Sequence, residues 1–213
     1  MPDYEIKEWN ESNFDVNIIP YTQEAYEKKK FAFVSDYARF WILHQHGGVY
    51  LDTDVELLKS IDSLVQNKSF MAREQSVNDF NDFSMVNPGL GMASIPKLPL
   101  YSEILADYEN RSFLKKGKPD YTTVVTIVTN ILKKHGLPKV DCITECCGQT
   151  IYPTKYFCPQ KGPSGQIKIS DETYSIHHFA GSWIDSSQKS FVEKLWNFFR
   201  LPKTNFRKKL FHK

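Results

Sequence analysis

Apolar residues recur at helical spacing along residues 31–46 and predict an amphipathic helix there. Gly47 and Gly48 follow this segment, and glycine commonly marks the C-terminal end of a helix. Asp36 and Arg39 are three positions apart on the predicted helix, so their side chains share a face. Taken without further context, this spacing is typical of an exposed ion pair.

The apolar run after the glycines, Val49-Tyr50-Leu51, predicts a short buried strand that ends at two acids, Asp52 and Asp54. Because alternate residues of an extended chain point to the same side, the two carboxylates are expected to converge on one small volume. Acids that follow the carboxyl end of a strand also lie where ligands bind in open α/β sheets. The segment therefore predicts a binding site at the end of a strand.

The rest of the chain alternates between predicted strands and predicted helices. Strands are expected near residues 3–10, 69–73, 84–93, 140–143, 149–152, 166–169 and 174–179. Helices are expected from about Thr22 and near residues 98–110, 121–135 and 187–199. This alternation favours an α/β layer architecture. We expect one domain over residues 1–199, followed by a basic C-terminal tail at residues 200–213.

The composition is that of an ordinary globular protein, with 41% hydrophobic and 24% charged residues. No uncharged run approaches the roughly 18 residues that a membrane-spanning helix needs. The first residues of the sequence also lack a signal-peptide pattern. We therefore expect a cytoplasmic protein.

The C-terminal tail combines cations with large apolar residues and contains no acid. Such a mixture suits the surface of an anionic membrane leaflet, so peripheral contact with the inner face of a membrane is one expectation. A solvated terminus without a partner is the other. Nucleic acid is not expected as a partner, because no recognised binding motif accompanies the charge.

The four cysteines are crowded between Cys142 and Cys158, but their spacing does not match a zinc site. The sequence contains no C-x-x-C pair and no histidine partners at ligand spacing. Reduced thiols are the better interpretation.

Asp52 and Asp54 are the candidate metal ligands of the sequence. Two neighbouring carboxylates repel each other, and a hard divalent cation such as Mg²⁺ or Mn²⁺ relieves that repulsion. Both cations leave coordination positions for substrate phosphates and water. A D-x-D tripeptide alone is common by chance, so the weight lies on the helix, the double glycine and the apolar strand that precede it.

The stretch from Phe33 to Glu56, FVSDYARFWILHQHGGVYLDTDVE, resembles the signature of D-x-D sugar transferases of glycosyltransferase family 32. That family is related to yeast initiating mannosyltransferases, bacterial capsular polysaccharide transferases and, more distantly, clostridial glucosylating toxins. A weaker resemblance extends through Tyr152-Pro153 and the segment YSIHHFAGSW at residues 174–183. The resemblance implies a GT-A-like, Rossmann-type fold with a mixed sheet flanked by helices.

The resemblance also assigns roles to individual residues. Asp36 matches the acid that contacts the ribose or sugar of the donor, and Arg39 matches the cation that contacts the transferred sugar or its diphosphate. Asp52 and Asp54 match the acids that bind the metal and the nucleotide. Tyr50 matches an aromatic residue beside the donor.

Three residues near the C-terminal end match the strand and loop that the family closes over the diphosphate and the cation. His178 is predicted as a metal ligand, and Ser182 and Trp183 are predicted as substrate contacts. His177 and His178 are neighbours on a predicted strand and therefore face opposite sides, so the other histidine is left as a core or surface residue. Trp183 equally suits core packing.

The resemblance implies a retaining, metal-dependent hexosyltransferase. Its donor would be a nucleotide-diphosphosugar, either a UDP-sugar or GDP-mannose, and its acceptor a glycan or lipid-linked saccharide of bacterial capsular or surface polysaccharide synthesis. Members of the family usually begin with a further strand and helix of the form I-P-K-I-I-H-x-x-W, and this sequence starts after that element.

Two alternatives therefore stay open. One is an inactive, truncated remnant of such an enzyme. The other is a phosphatase of the haloacid-dehalogenase type, which also ends an apolar strand in D-x-D and uses the first acid as its nucleophile.

Overall fold

A mixed sheet of six strands forms the centre of the computed structural model. The structure describes residues 4–66, 69–75, 82–83, 85–161 and 166–179. The strands, in chain order, are β1 (Gly48–Tyr50), β2 (Val55–Leu57), β3 (Phe70–Glu74), β4 (Met85–Val86), β5 (Met92–Ser94), β6 (Leu114–Lys115), β7 (Lys118–Pro119), β8 (Thr144–Cys146), β9 (Gln149–Tyr152), β10 (Gln160–Lys161), β11 (Gln166–Ile167) and β12 (Ser175–His177).

Six α-helices and one turn of 3₁₀-helix connect or flank these strands in the described part of the chain. They are α1 (Pro20–Glu27), α2 (Phe31–His46), α3 (Asp62–Val65), the 3₁₀ turn (Pro88–Leu90), α4 (Pro99–Glu109), α5 (Val124–Lys134) and α6 (Thr154–Phe157). Each of these helices is too short or too polar to cross a membrane.

The central sheet has the strand order β1-β5-β3-β9-β8, and β4 pairs with the end of β3. Strands β3 and β9 run parallel, whereas the β1–β5, β5–β3 and β9–β8 pairs are antiparallel. A separate antiparallel pair joins β2 to β12 and so links two segments that are far apart in sequence. The predicted α/β fold with a mixed sheet flanked by helices is confirmed.

The main core lies where α2 packs on α4, and its centre is aromatic. Phe40 of α2 is fully buried and meets Tyr101 of α4 edge to face, with ring centroids 5.0 Å apart. Tyr37, one turn earlier on α2, packs on Tyr108 in the same geometry at 5.9 Å. These contacts fix α2, so the polar residues on the other face of this helix are held against the end of β1.

The expected strand near residues 3–10 is not found among residues 4–10, which have no strand partner. Ile6 is 95% exposed there, so the apolar positions of this segment form no buried face. A segment with an alternating sequence forms a strand only where another strand supplies hydrogen bonds, and no strand of the described structure pairs with residues 4–10.

The single strand expected near residues 84–93 is divided into β4, the 3₁₀ turn and β5. Pro88 lacks the N–H group that a ladder needs, and Gly91 adopts φ +144°. The strand expected near residues 140–143 is also displaced, since β8 begins only at Thr144.

The helix expected near 187–199, and the tail at 200–213, lie outside the described residues, so the predicted domain boundary stays a prediction.

Replacing Phe40 with alanine is expected to lower the free energy of unfolding by roughly 3–5 kcal/mol, because the change opens a cavity between α2 and α4. Phe31 is the matched control, since it lies on the same helix but is 55% exposed. Phe31→Ala should cost under about 1 kcal/mol. Urea denaturation measures both values, and a similar loss in the two variants would contradict the assigned core.

Candidate active site

Arg39 lies at the centre of the candidate site, between two carboxylates from different segments. Its side chain is only 5% exposed. One terminal nitrogen, Nη2, lies 2.9 Å from Asp36 Oδ1, and the other, Nη1, lies 3.1 Å from Asp52 Oδ1. The third guanidinium nitrogen, Nε, donates to the backbone carbonyl of Ser35 at 3.2 Å. The Asp36–Arg39 pair is therefore buried rather than exposed, and the contact of Arg39 with Asp52 connects α2 to the segment after β1.

Tyr50 closes this bridge from the side of the sheet. The guanidinium carbon of Arg39 lies 4.6 Å from the centroid of the Tyr50 ring, which is a cation–π geometry. The Tyr50 hydroxyl donates to Asp52 Oδ1 at 2.8 Å. Arg39 and Tyr50 therefore place a positive charge and a hydrogen-bond donor at the same carboxylate oxygen.

Asp52 and Asp54 converge by a turn, which differs from the expected extended strand. Strand β1 ends at Tyr50 and β2 begins at Val55, with a turn between them. The backbone N–H of Val55 donates to the carbonyl of Asp52 at 3.1 Å and closes this turn. The expected convergence of the two acids is found, but the pleat of a strand is not its cause.

His177 is the histidine that faces the acids. Its Nε2 lies 3.5 Å from Asp52 Oδ2 and 3.2 Å from Asp54 Oδ1, and the residue is 7% exposed. The backbone N–H of Phe179 donates to Nδ1 at 3.0 Å. In a neutral ring, this bond assigns the proton to Nε2, from which it is donated toward the two carboxylates.

His178, which the sequence analysis chose as the metal ligand, points the other way. Its Nε2 lies 3.0 Å from Glu56 Oε2, and its side chain is 50% exposed. The choice between two adjacent histidines depends on the register of β12 against β2, which pairs His177 with Val55. That register is a long-range property, so the local sequence offered no signal for it. In the structure His177, and not His178, lies beside the two acids.

Gly89 is a site residue that the sequence analysis did not identify, since it lies within the strand expected near residues 84–93. Its carbonyl accepts a hydrogen bond from the backbone N–H of Asp52 at 3.2 Å. A Cβ atom at this position would lie 2.1 Å from Asp52 Oδ2, which no real contact allows. The backbone of the 3₁₀ turn therefore packs directly beneath the Asp52 carboxylate.

The donors around Asp52 keep this acid ionised. Burial by itself would raise the pKa of Asp52, but hydrogen bonds from His177 and Tyr50 and the charge of Arg39 lower it to about 2. Asp36 behaves differently, because its burial raises the pKa against the opposing charge of Arg39. The guanidinium of Arg39 stays charged, since Tyr50, Asp36 and Asp52 together raise its pKa despite burial.

A divalent cation fits the donor set that the chain presents here. One ligand atom from each of Asp52, Asp54 and His177 lies within 4.8 Å of the other two. Carboxylate oxygens are the preferred ligands of Mg²⁺, and Mn²⁺ also accepts an imidazole nitrogen. Since Nε2 of a neutral His177 carries the proton in this arrangement, the two acids are the ligands that the geometry supports most directly.

Ser182 and Trp183 lie outside the described residues. Their expected contacts with the substrate stay predictions.

Replacing Arg39 with methionine is expected to lower the free energy of unfolding by roughly 3–5 kcal/mol, because it leaves the buried Asp36 carboxylate and the partly buried Asp52 carboxylate without their shared cation. Arg111 provides a matched control, since it pairs with Asp107 on α4 but is much more exposed. Arg111→Met should cost under about 1 kcal/mol. Thermal and urea unfolding measure both changes, and an equally small loss at position 39 would contradict the buried bridge.

Comparison with known families identifies the segment that carries most of these residues. Residues 1–71 match the model of a glycosyltransferase sugar-binding region containing a DXD motif. The match includes Asp36, Arg39, Tyr50, Asp52 and Asp54, whereas Gly89 and His177 come from later in the chain. Searches of curated proteins and of solved structures found no match. This match, over residues 1–71, is to the sugar-binding region of glycosyltransferases, and it supports a sugar-transfer function.

Proposed function

We propose that the chain is a metal-dependent hexosyltransferase that moves a sugar from a nucleotide-diphosphosugar to a hydroxyl group of a glycan or lipid-linked acceptor. The observation that carries this proposal is the buried Asp36–Arg39–Asp52 bridge, which lies beside Asp54 and His177 at the end of β1. The family match over residues 1–71, which includes Asp36, Arg39, Asp52 and Asp54, supports sugar transfer as the type of reaction. The proposed donors are UDP-sugars or GDP-mannose, and the proposed setting is bacterial capsular or surface polysaccharide synthesis.

The chemistry assigned to the metal is that of a Lewis acid. Bound Mg²⁺ or Mn²⁺, held by Asp52 and Asp54 with His177 beside them, would neutralise the diphosphate that leaves when the sugar is transferred. Both acids present oxygen ligands, and the donors on Asp52 keep its carboxylate charged for this purpose.

The residues of the chain supply orientation and fixed charge around this position. Arg39 is a cation that cannot lose its proton, and it is already placed by Asp36 and the Tyr50 ring before any ligand arrives. A donor diphosphate beside Asp52 would meet that cation without the cost of ordering a flexible side chain. We expect Asp36 to accept hydrogen bonds from the ribose or the sugar of the donor, and Tyr50 to limit the space beside it.

The stereochemical part of the proposal is retention at the anomeric carbon. The acceptor hydroxyl would attack the face from which the diphosphate departs, within a short-lived oxocarbenium-like ion pair, and its proton would pass to an oxygen of the departing diphosphate. Arg39 would hold the departing diphosphate close to that face. No covalent intermediate on the protein is required by this route.

Binding of UDP and GDP tests the proposal most directly. With Mn²⁺ present, we expect one of the two nucleotides to bind in isothermal titration calorimetry. Without the metal, or in the variant Asp52→Asn/Asp54→Asn, its affinity should fall by tenfold or more, equivalent to about 1.4 kcal/mol. The nucleotide that binds identifies the donor class, because the two candidate groups of donors differ in their base.

Glu56→Gln is the control for this experiment. It removes a negative charge only two residues after Asp54, but Glu56 is exposed and pairs with His178. Its nucleotide affinity should stay within about twofold of the original, since an exposed pair contributes little. Metal-dependent binding without any hydrolysis of the matching nucleotide sugar would favour the inactive remnant, and no binding of either nucleotide would refute the transferase.

The two adjacent histidines offer a second test. His177→Ala is expected to weaken Mn²⁺ binding by about 10–100-fold, because His177 contacts both acids. The ring would act either as a third metal ligand or as the donor that orients the two carboxylates. His178→Ala should leave the affinity within about twofold, since that ring pairs with an exposed glutamate. Electron paramagnetic resonance of free Mn²⁺ gives both dissociation constants, and the reverse ranking would restore His178 as the ligand.

A further inference from the structure

The Asp52 carboxylate rests on the backbone of the 3₁₀ turn. Gly89 contacts it in two ways: its carbonyl accepts the N–H of Asp52 at 3.2 Å, and its Cα leaves room for Asp52 Oδ2 where any side chain would collide. The orientation of the Gly89 peptide therefore decides where the Asp52 carboxylate can lie. Gly89 is itself buried, so solvent does not compete for these contacts.

Asn87 holds the Gly89 peptide in that orientation. Its Oδ1 accepts the backbone N–H of Gly89 at 2.7 Å and so caps the 3₁₀ turn. Its Nδ2 donates to Glu74 Oε2 at 2.9 Å. Only this orientation of the amide satisfies both partners, because the N–H of Gly89 needs an acceptor and the Glu74 carboxylate needs a donor. Asn87 is 8% exposed.

Glu74 connects this arrangement to the rigid part of the molecule. It is the last residue of β3, which lies in the middle of the central sheet between β5 and β9. The Asn87 backbone is also attached to β3, since its N–H donates to the carbonyl of Ala72 at 3.0 Å. Two bonds from one strand thus fix the backbone and the side chain of Asn87.

We propose that Asn87 is a positioning residue for the metal-binding acids, acting through the Gly89 peptide to fix the Asp52 carboxylate relative to the central sheet. The inference rests on the proposed role of Asp52 in binding a divalent cation. Asn87 itself bonds Gly89 and Glu74, so it acts on the site through Gly89 and not as a ligand.

The physical reason is that Gly89 holds Asp52 both through the backbone N–H of Asp52 and through the contact beneath its carboxylate. Without Asn87, the Gly89 N–H loses its acceptor and the Gly89 peptide can rotate. The Asp52 carboxylate then loses the backbone against which it packs. A carboxylate that must be ordered on metal binding binds more weakly than one that is already placed. Loss of a residue that orients a ligand typically lowers metal affinity by about 10–100-fold.

Three variants test this role by Mn²⁺ affinity, a measurement that does not depend on catalysis. Asn87→Ala removes both hydrogen bonds and is expected to raise the Mn²⁺ dissociation constant by about tenfold or more. Asn87→Asp/Glu74→Gln reverses the direction of the hydrogen bond between positions 87 and 74, since the new amide at position 74 donates to the new carboxylate at position 87. The double variant preserves both the cap on Gly89 and the net charge. This pair should return the affinity to within about threefold of the original, a loss of roughly 0.7 kcal/mol at most. Glu74→Gln alone keeps an amide oxygen as the acceptor for Asn87 and should also stay close to the original.

Thr129→Val is the matched control for stability. The hydroxyl of Thr129 accepts the backbone N–H of Val86 at 2.9 Å, so the residue supports the same segment of chain, one position before Asn87. This variant leaves a buried N–H without an acceptor, so its melting temperature should fall by roughly 2–8 °C. Its Mn²⁺ affinity should not change, because Val86 does not contact the acids through Gly89.

The outcomes separate the two claims. If the original protein binds no Mn²⁺, the proposed metal site and this inference are both overturned. If it binds Mn²⁺ and Asn87→Ala binds equally well, only the positioning role of Asn87 is wrong. If Asn87→Ala and Thr129→Val weaken binding alike, or the double variant fails to restore it, the effect is general destabilisation and the inference is again overturned.

Discussion

The structure around the site depends on one interaction, the burial of the Arg39 guanidinium between Asp36 and Asp52. A charged group that is only 5% exposed is stable in this place only because carboxylates and a carbonyl surround it. Asp36 comes from the same helix, but Asp52 follows β1, so the charge pairing also ties α2 to the sheet. The backbone N–H of Val124, at the start of α5, also acts to lower the pKa of Asp36, so a third element contributes to the same arrangement.

This arrangement has a charge consequence for ligands. Arg39 pairs with Asp36 and Asp52, and Asp54 lies beside Asp52, so one guanidinium and three carboxylates give the site excess negative charge while His177 is neutral. A divalent cation at Asp52 and Asp54 would cancel that excess, and the combined charge of the cation and Arg39 would then suit a diphosphate. This balance favours binding of the metal before or together with the donor.

The sequence predicted the parts of the site that are local. The spacing of Asp36 and Arg39 on a helix, the double glycine and the apolar run before Asp52 all depend on residues close together in the chain, and the structure contains each of them. The sequence could not predict the turn that brings Asp54 back toward Asp52, because the same residues also suit an extended strand. It also could not predict which histidine faces inward, since a shift of one residue in the β2–β12 register exchanges His177 and His178.

The break in the strand expected near residues 84–93 has the same explanation. Pro88 and Gly89 are clear signals of a turn, but the sequence does not say what the turn packs against. A glycine suits position 89 because the Asp52 carboxylate packs directly against its Cα, and that contact joins residues far apart in the chain. Long-range contacts therefore account for the residues that sequence reasoning missed. Gly89 comes from the 3₁₀ turn between β4 and β5, and His177 comes from β12.

The most informative property of the site is that Asp52 is oriented before a ligand binds. Its Oδ1 receives the Arg39 guanidinium and the Tyr50 hydroxyl, its Oδ2 faces His177, and its backbone N–H is bonded to Gly89. These four contacts leave the Asp52 side chain little conformational freedom to lose on binding, so the entropic cost of ordering it is met when the chain folds. A site of this kind gains affinity for a cation from the residues that hold its carboxylates in place, and not from additional metal ligands. Residues that contact neither metal nor sugar, such as those that hold Gly89 and Arg39 in place, should therefore influence binding nearly as strongly as the acids themselves.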